Sequence, residues 1–308
     1  MFPPDSVRKL CQALAEDLDW NDPAFDLNKA CYCSLFAHAV YKDLPEFELE
    51  KAQRIAVVPC TDYLEQLALG ETSSVEQYLL QTDLGPVFVI RQRLAIIAGI
   101  KTPDVVIVAI RGTQTLYDLV AVDIDARFRF LKCDHAKATF HRGFLYAAAK
   151  SATALYAKLT PYINQVPIYL TGHSLGGAIA AVYNAVFPSA NKARKPASFN
   201  NNNPIQPISC YTFGMPRYGH GTAIRRFPYP HPIFNPGDLV PDVPPTGLLY
   251  ENCPIEYCLS STGLQTVTAR PDQEWSPYQI AAQFRSGLQN HNIELYVDLI
   301  FKSLQQEP

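Results

Sequence analysis

The sequence predicts an α/β protein built on a mainly parallel sheet with helices on both faces. Two short apolar runs, VVIVAI at 105–110 and VPIYLT at 166–171, have the composition of central strands buried on both sides. Helix-forming segments lie between and after them, LYAAAKSATALYAKL at 145–159 and LGGAIAAVYNAV at 175–186. Strands that alternate with helices are joined by right-handed crossovers, which makes the sheet parallel. ISCYTF at 208–213 and the short PIF at 232–234 continue the alternation.

The remaining elements follow from periodicity. Residues 5–19 and about 26–41 read as helices, the second with Leu27, Ala30, Cys31, Phe36 and Ala37 on a packed face. Residues 75–81, 86–91 and 94–99 read as strands. A last helix spans about 292–305, with Ile293, Tyr296, Val297 and Ile300 at helical spacing. The chain contains no internal repeat, so residues 1–308 form a single domain with residues 1–70 as an N-terminal helical region packed on it. The Asn run FNNNNP falls in the connection at 188–207. Parallel topology puts that connection at the end of the sheet opposite Ser174, as a solvated loop.

Composition narrows the function classes. Of 308 residues 48% are hydrophobic and 18% charged, and the formal net charge is −3, so nothing attracts nucleic acid to the chain as a whole. No stretch approaches the ~20 apolar residues of a membrane span, and the most apolar one, VFVIRQRLAIIAGI, is broken by Arg91, Gln92 and Arg93. The N-terminus has no apolar core of a signal peptide, which makes a cytoplasmic location the default, with signal-less secretion left open. Eight cysteines are present, at 11, 31, 33, 60, 133, 210, 253 and 258, without C-x-x-C pairs. They read as reduced, mostly buried thiols, and no metal or organic cofactor is expected.

Chemistry concentrates in YLTGHSLGGAIAAV at 169–182. A bare G-x-S-x-G arises by chance in about one chain in ten of this length. Here it sits between a strand and a helix, where flanking glycines permit a sharp, strained turn that exposes a serine at the carboxyl edge of the sheet. The helix N-terminus adds N–H groups aimed at developing negative charge. Ser174 is the candidate nucleophile. A serine needs a base, and the base an orienting acid; on elbow turns of this kind the chain order is Ser, acid, His. Among seven histidines only His220, His231 and His291 follow Ser174, and only His291 follows the best acid, so His291 is the candidate base. NPGDLVPDVPP supplies two acids, Asp238 nearer the strand end and Asp242 four residues on. The backbone N–H of Leu175 and the RGT turn with Gly112 and Thr113 are placed to receive an oxyanion. An HGGG segment is absent.

Five ordered motifs resemble the class 3 lipase family of α/β-hydrolases: VVIVAIRGT at 105–113, FHRGF at 140–144, TGHSLGG at 171–177, YTFGMPRYG at 211–219 and NPGDLVPDVPP at 235–245. The resemblance spans roughly residues 75–305 and extends to His291 with Tyr296. It implies an α/β-hydrolase fold with Ser174 as nucleophile, Asp238 as acid, His291 as base, and Thr113 and Leu175 as oxyanion-hole residues. His141 and Arg111 would be structural, and His173 a spacer within its motif. The sequence departs from the family pattern in three places. After RGT the usual Asp-Trp pair is missing, so either Asp118 or Asp123 orders the oxyanion loop. Met215 stands where a polar residue is common, and His220 where Asp or Asn is usual.

The resemblance also implies a lid over residues 114–139, where Leu116, Leu119 and Val120 precede Phe128, Phe130 and Leu131; the alternative is that these residues pack on the core of a soluble esterase. The implied activity is hydrolysis of the carboxylic esters of lipids by acyl transfer to water. A phospholipase or acyltransferase with the same triad, and a non-catalytic lipase-like interaction protein, are the alternatives. The expected partner is a lipid or other ester, with transient contact at a lipid interface.

Overall fold

The computed structural model describes residues 3–16, 18–41, 74–92, 95–112, 130–133, 138–187, 205–225, 230–272 and 289–306. Among these residues three helices come first: α1 (Pro4–Ala15), α2 (Leu27–Ala39) and α3 (Ser74–Gln81). The sheet then begins with β1 (Val87–Gln92), β2 (Ala95–Lys101) and β3 (Val106–Arg111). A separate hairpin, β4 (Phe130–Cys133) and β5 (Ala138–His141), leads into α4 (Arg142–Leu159). β6 (Ile168–His173) is followed by α5 (Leu175–Val186), and β7 (Ser209–Phe213) by the short α6 (Gly221–Ile224). β8 (His231–Phe234), the hairpin β9 (Ile255–Ser260) and β10 (Gly263–Thr268), and α7 (Ile293–Leu304) complete the chain.

Eight strands form one sheet in the order β1-β2-β3-β6-β7-β8-β9-β10. Its centre is parallel, from β3 through β6, β7 and β8 to β9, and both margins are antiparallel. Residues of β3 alternate between two cores because successive side chains leave a strand on opposite faces. Val106, Val108 and Ile110 join the cluster under α4 and α5, whereas Ile107 and Ala109 join the one under α1, α2, α3 and α7. β3, β6, β7 and β8 all end at one edge, so Gly112, Ser174, Gly214 and the turn after Phe234 open side by side.

The structure corrects some sequence expectations. Residues 75–81, read as a strand, belong to helix α3. Val75, Tyr78, Leu79 and Thr82 are the buried positions, a spacing of three, four and seven that only a helix puts on one face. The apolar Val-Tyr-Leu-Leu content had suggested a strand, but burial follows the helical period. The antiparallel hairpin β9–β10 was not anticipated, although Ile255, Tyr257 and Leu259 alternate ahead of a Thr-Gly turn. Of the lid segment 114–139, residues 130–133 and 138–139 pair within the β4–β5 hairpin, and the rest lies outside the described residues. So does most of the Asn-rich connection, 188–204.

Cys11, Cys31, Cys33, Cys210 and Cys253 are buried free thiols, and Cys258 is a half-buried one. Burial pushes the Cys31 thiol up to about 12, far from the range in which a thiolate reacts at neutral pH. Among the described residues no helix is long and apolar enough to cross a membrane.

Ile107 is fully buried between β3 and the α2 layer. Ile107→Ala should cost about 2–5 kcal/mol through lost burial and the cavity left behind. In urea the midpoint should fall at constant slope; an unchanged midpoint would mean that this face of the sheet collapses around the gap.

Candidate active site

Ser174 occupies the single residue between β6 and α5, at φ 58° and ψ −134°, a conformation costly for a side chain. Contacts on all sides hold it there. The Ser174 N–H donates to the carbonyl of Phe213 on β7 at 2.9 Å, and its own carbonyl accepts from Gly177 at 2.9 Å. Two glycines let the chain turn this tightly. A Cβ on Gly172 would lie 2.5 Å from the carbonyl carbon of Gly176, and one on Gly176 only 2.0 Å from the oxygen of Ile110. Backbone therefore meets backbone where β3, β6 and α5 cross. The turn leaves Ser174 at the head of a helix whose first N–H groups have no carbonyl one turn earlier.

The base and acid arrive from the other side. His291 closes a 3-10 turn at Gln289–His291 just before α7, and Asp238 lies in the turn after β8. His291 Nδ1 and Asp238 Oδ2 are 2.7 Å apart, both groups fully enclosed. The same oxygen accepts the Tyr296 hydroxyl at 2.7 Å, and Oδ1 accepts the N–H of Val240 at 2.9 Å. Tyr296 is held in turn by the N–H of Asn235 at 3.1 Å. Asn290 donates to the carbonyl of Gly237 at 3.1 Å, which ties the base turn to the acid turn. The carboxylate's lone pairs are thus committed, and it can only orient the imidazole. His291 Nε2 is buried and has no hydrogen-bond partner among the described residues. It is the one nitrogen of the ring left to take a proton. No hydrogen bond joins it to Ser174 here, as is common before substrate tightens such a site.

Asp242, the competing acid, is committed elsewhere. Arg270 reaches it at 2.7 Å and Arg217 at 3.5 Å. Leu175 is buried at the first position of α5, and a Cβ on Gly112 would lie 3.2 Å from the Leu175 nitrogen. The turn after β3 is therefore laid against the helix N-terminus. Thr113, Asp118 and Asp123 lie outside the described residues.

Three positions were undervalued by sequence reasoning. Gly214, at φ +55°, covers the acid–base pair, and a Cβ there would lie 2.8 Å from Asp238 Oδ2 and 3.0 Å from His291 Nδ1. Its signal was the glycine inside YTFGMPRYG. His173 is no mere spacer: Nε2 is 2.7 Å from the carbonyl of His291, and Nδ1 is 2.9 Å from the hydroxyl of Tyr41. Nothing in the sequence links Tyr41 to that chemistry. His220 caps α6, accepting from the N–H of Thr222 at 3.1 Å, the task an Asp or Asn would perform. His141 caps α4 in the same way through Gly143, and Met215 packs beside Gly177.

Residues 107–248 match the family model Lipase (class 3). Phospholipase A1-II 7 of Oryza sativa subsp. indica is 33% identical over 136 residues, 42% of this chain and 29% of the relative. The chain thus spans under a third of that relative's length. Among solved structures, the lipase of Rhizopus microsporus var. chinensis superposes with a TM-score of 0.54 at 20% identity, over 84% of each chain. The mono- and diacylglycerol lipase of Aspergillus oryzae gives 0.53 at 16% identity, over 80% of this chain and 87% of that one. At such identities the likeness shows the fold, which is that of the α/β-hydrolases.

Two outcomes follow. Gly214→Ala forces a methyl group against the Asp238–His291 pair, and a displacement of about 1 Å should lower turnover by up to about 100-fold. Steady-state kinetics check this, and near-normal turnover would mean that the pair has room to move. His173 and His231 are held well below and below the ordinary histidine value of 6.5, in both cases chiefly by burial. The unfolded chain therefore binds more protons below that value, and the stabilising contribution present above it is lost as pH falls. Melting temperature should drop between about pH 7 and about pH 5.5; a flat or rising profile in calorimetry would contradict the assignment.

Proposed function

We propose that the chain, whose residues 107–248 match the class 3 lipase family, hydrolyses the carboxylic esters of lipids through Ser174, His291 and Asp238. The observation that carries this is the state of His291. One ring nitrogen is fixed to a fully satisfied carboxylate, and the other is buried and unpartnered. The ring packs 4.5 Å from that of His173, the neighbour of Ser174 in sequence.

In the proposed reaction His291 Nε2 takes the Ser174 proton as the hydroxyl oxygen attacks the ester carbonyl. Asp238 keeps the proton on Nδ1 and stabilises the imidazolium that forms. Negative charge on the carbonyl oxygen is received by the N–H groups of Leu175 and Thr113 at the start of α5 and after β3. His291 then protonates the leaving alcohol, and water attacks the acyl-enzyme with His291 again acting as base. Burial of Ser174, 5% exposed, and His291, 4% exposed, keeps bulk water from solvating the charges that develop.

The rice relative carries the name of a phospholipase A1, which favours phospholipids as a second substrate class beside neutral acylglycerols. Ser174→Ala should abolish ester hydrolysis and labelling by a fluorophosphonate while melting stays as in the unaltered chain. Unchanged hydrolysis by that variant overturns the proposal. Parallel assays on acylglycerol emulsions and phosphatidylcholine vesicles decide the head group. A sharp rise in rate once substrate aggregates is expected if residues 114–139 act as a lid, and a proportional response argues against it.

A further inference from the structure

The unused histidine of the nucleophile motif offers a second layer to the site. Its imidazole has partners at both nitrogens, and their chemistry fixes its tautomer. The carbonyl of His291 can only accept, so Nε2 of His173 carries the hydrogen at 2.7 Å. Nδ1 then presents a lone pair to the Tyr41 hydroxyl, which donates at 2.9 Å. Burial, followed by the proximity of His291, keeps His173 neutral, so the ring beside the base adds no positive charge when His291 becomes an imidazolium.

We propose that Tyr41 and His173 are positioning residues for the base: the relay from Tyr41 through His173 to the His291 carbonyl locks the turn carrying His291 to the strand that leads into Ser174. This rests on the reading of Ser174 and His291 given above. Without the relay, His291 is held by its ring through Asp238 and by its neighbour Asn290 through Gly237, both reaching the acid turn and neither reaching β6. Among the described residues the His173 bond is the hydrogen bond that joins β6 to the base turn. Tyr41 comes two residues after the end of α2, a helix packed on both β6 and α7. From the same helix His38 Nε2 lies 3.4 Å from Glu294, three residues after the base. Tyr41 also neighbours the oxyanion side. Burial raises its hydroxyl pKa, while Arg111 and the Gly112 amide oppose that rise. One side chain therefore lies against the turns after β3 and β6 and is connected to the turn before α7.

Kinetics on a soluble p-nitrophenyl ester with the full chain test the relay. His173→Phe keeps the ring volume and removes both polar ends; kcat should fall by about tenfold to 100-fold, with KM within about twofold, since the loss concerns alignment in the transition state. His173→Gln, which restores a donor towards the His291 carbonyl, should recover most of kcat. Tyr41→Phe should lower kcat about threefold at unchanged KM. Equal losses in His173→Phe and His173→Gln, or normal turnover in His173→Phe and Tyr41→Phe, overturn the relay. If His173→Phe fails to fold, Tyr41→Phe decides: reduced kcat at constant KM supports the relay, and normal kcat rejects it. Ser174→Ala runs as a separate arm. Activity in that variant sinks the catalytic reading itself, whereas its inactivity beside a normal Tyr41→Phe and His173→Phe sinks the relay alone.

Discussion

The carbonyl of Ile110 stands 2.0 Å from the point where a side chain on Gly176 would begin, and the geometry of the site depends on that closeness. Because α5 approaches β3 without side chains between them, its N-terminus comes level with the end of the sheet. Ser174 can then bridge β6 and α5 in one residue, in a conformation that costs about 1–3 kcal/mol and is held by hydrogen bonds to Phe213 and Gly177. The same approach lays Gly112 against the Leu175 nitrogen. Nucleophile, helix N-terminus and neighbouring turn are thus three consequences of one backbone contact.

The opposite side of the site is built from a different layer. His291 and Tyr296 belong to the turn and first coils of α7, and Tyr41 follows α2, so the base is supported by the face of the sheet that α4 and α5 do not cover. Tyr296, Val297 and Ile300 anchor α7 in that core while the Tyr296 hydroxyl reaches Asp238. Two independently packed layers must therefore meet within hydrogen-bond distance at the sheet edge. Gly214, between β7 and the loop that follows, is where they meet, and the lack of a side chain there lets Asp238, His291 and Tyr296 converge. The N-terminal helices, whose sequence has no catalytic motif, matter to the site because they set the height of this second layer.

Local patterns revealed what local physics decides. The central strands, the α5 helix and the strained serine were readable because apolar runs and glycines at fixed offsets have few alternative structures. Chain order and strand position favoured Asp238 and His291, and the structure brings these two together. Residues 75–81 failed because a short Val-, Tyr- and Leu-containing segment has no reliable period until one knows which positions are buried. His173 and Tyr41 failed for another reason. Their bond spans 132 positions of sequence, and neither residue type announces a partner. Long-range polar contacts inside a core are set by how layers stack, which periodicity does not encode.

Asp242 shows how the acid turn can carry two carboxylates and keep their roles apart. Asp238 is surrounded by neutral donors and the imidazole, whereas Asp242 lies between Arg217 and Arg270, all three nearly inaccessible to water. Glu256 on β9 joins Arg270 at 2.7 Å, and the Arg217 guanidinium also donates to the carbonyls of Asp242 and Pro244. Burial raises the Glu256 pKa and lowers that of Arg217, so these ions are retained against a desolvation cost. Buried pairs of this kind add little net stability, yet removing one member strands a charge at a cost of about 3–5 kcal/mol. The network therefore specifies where the loop sits more than it strengthens the fold. It clamps the segment three to six residues beyond Asp238, and the hairpin β9–β10 contributes at the sheet margin by presenting Glu256 and, just past its end, Arg270. One acid holds the turn in place so that the other can hold the base.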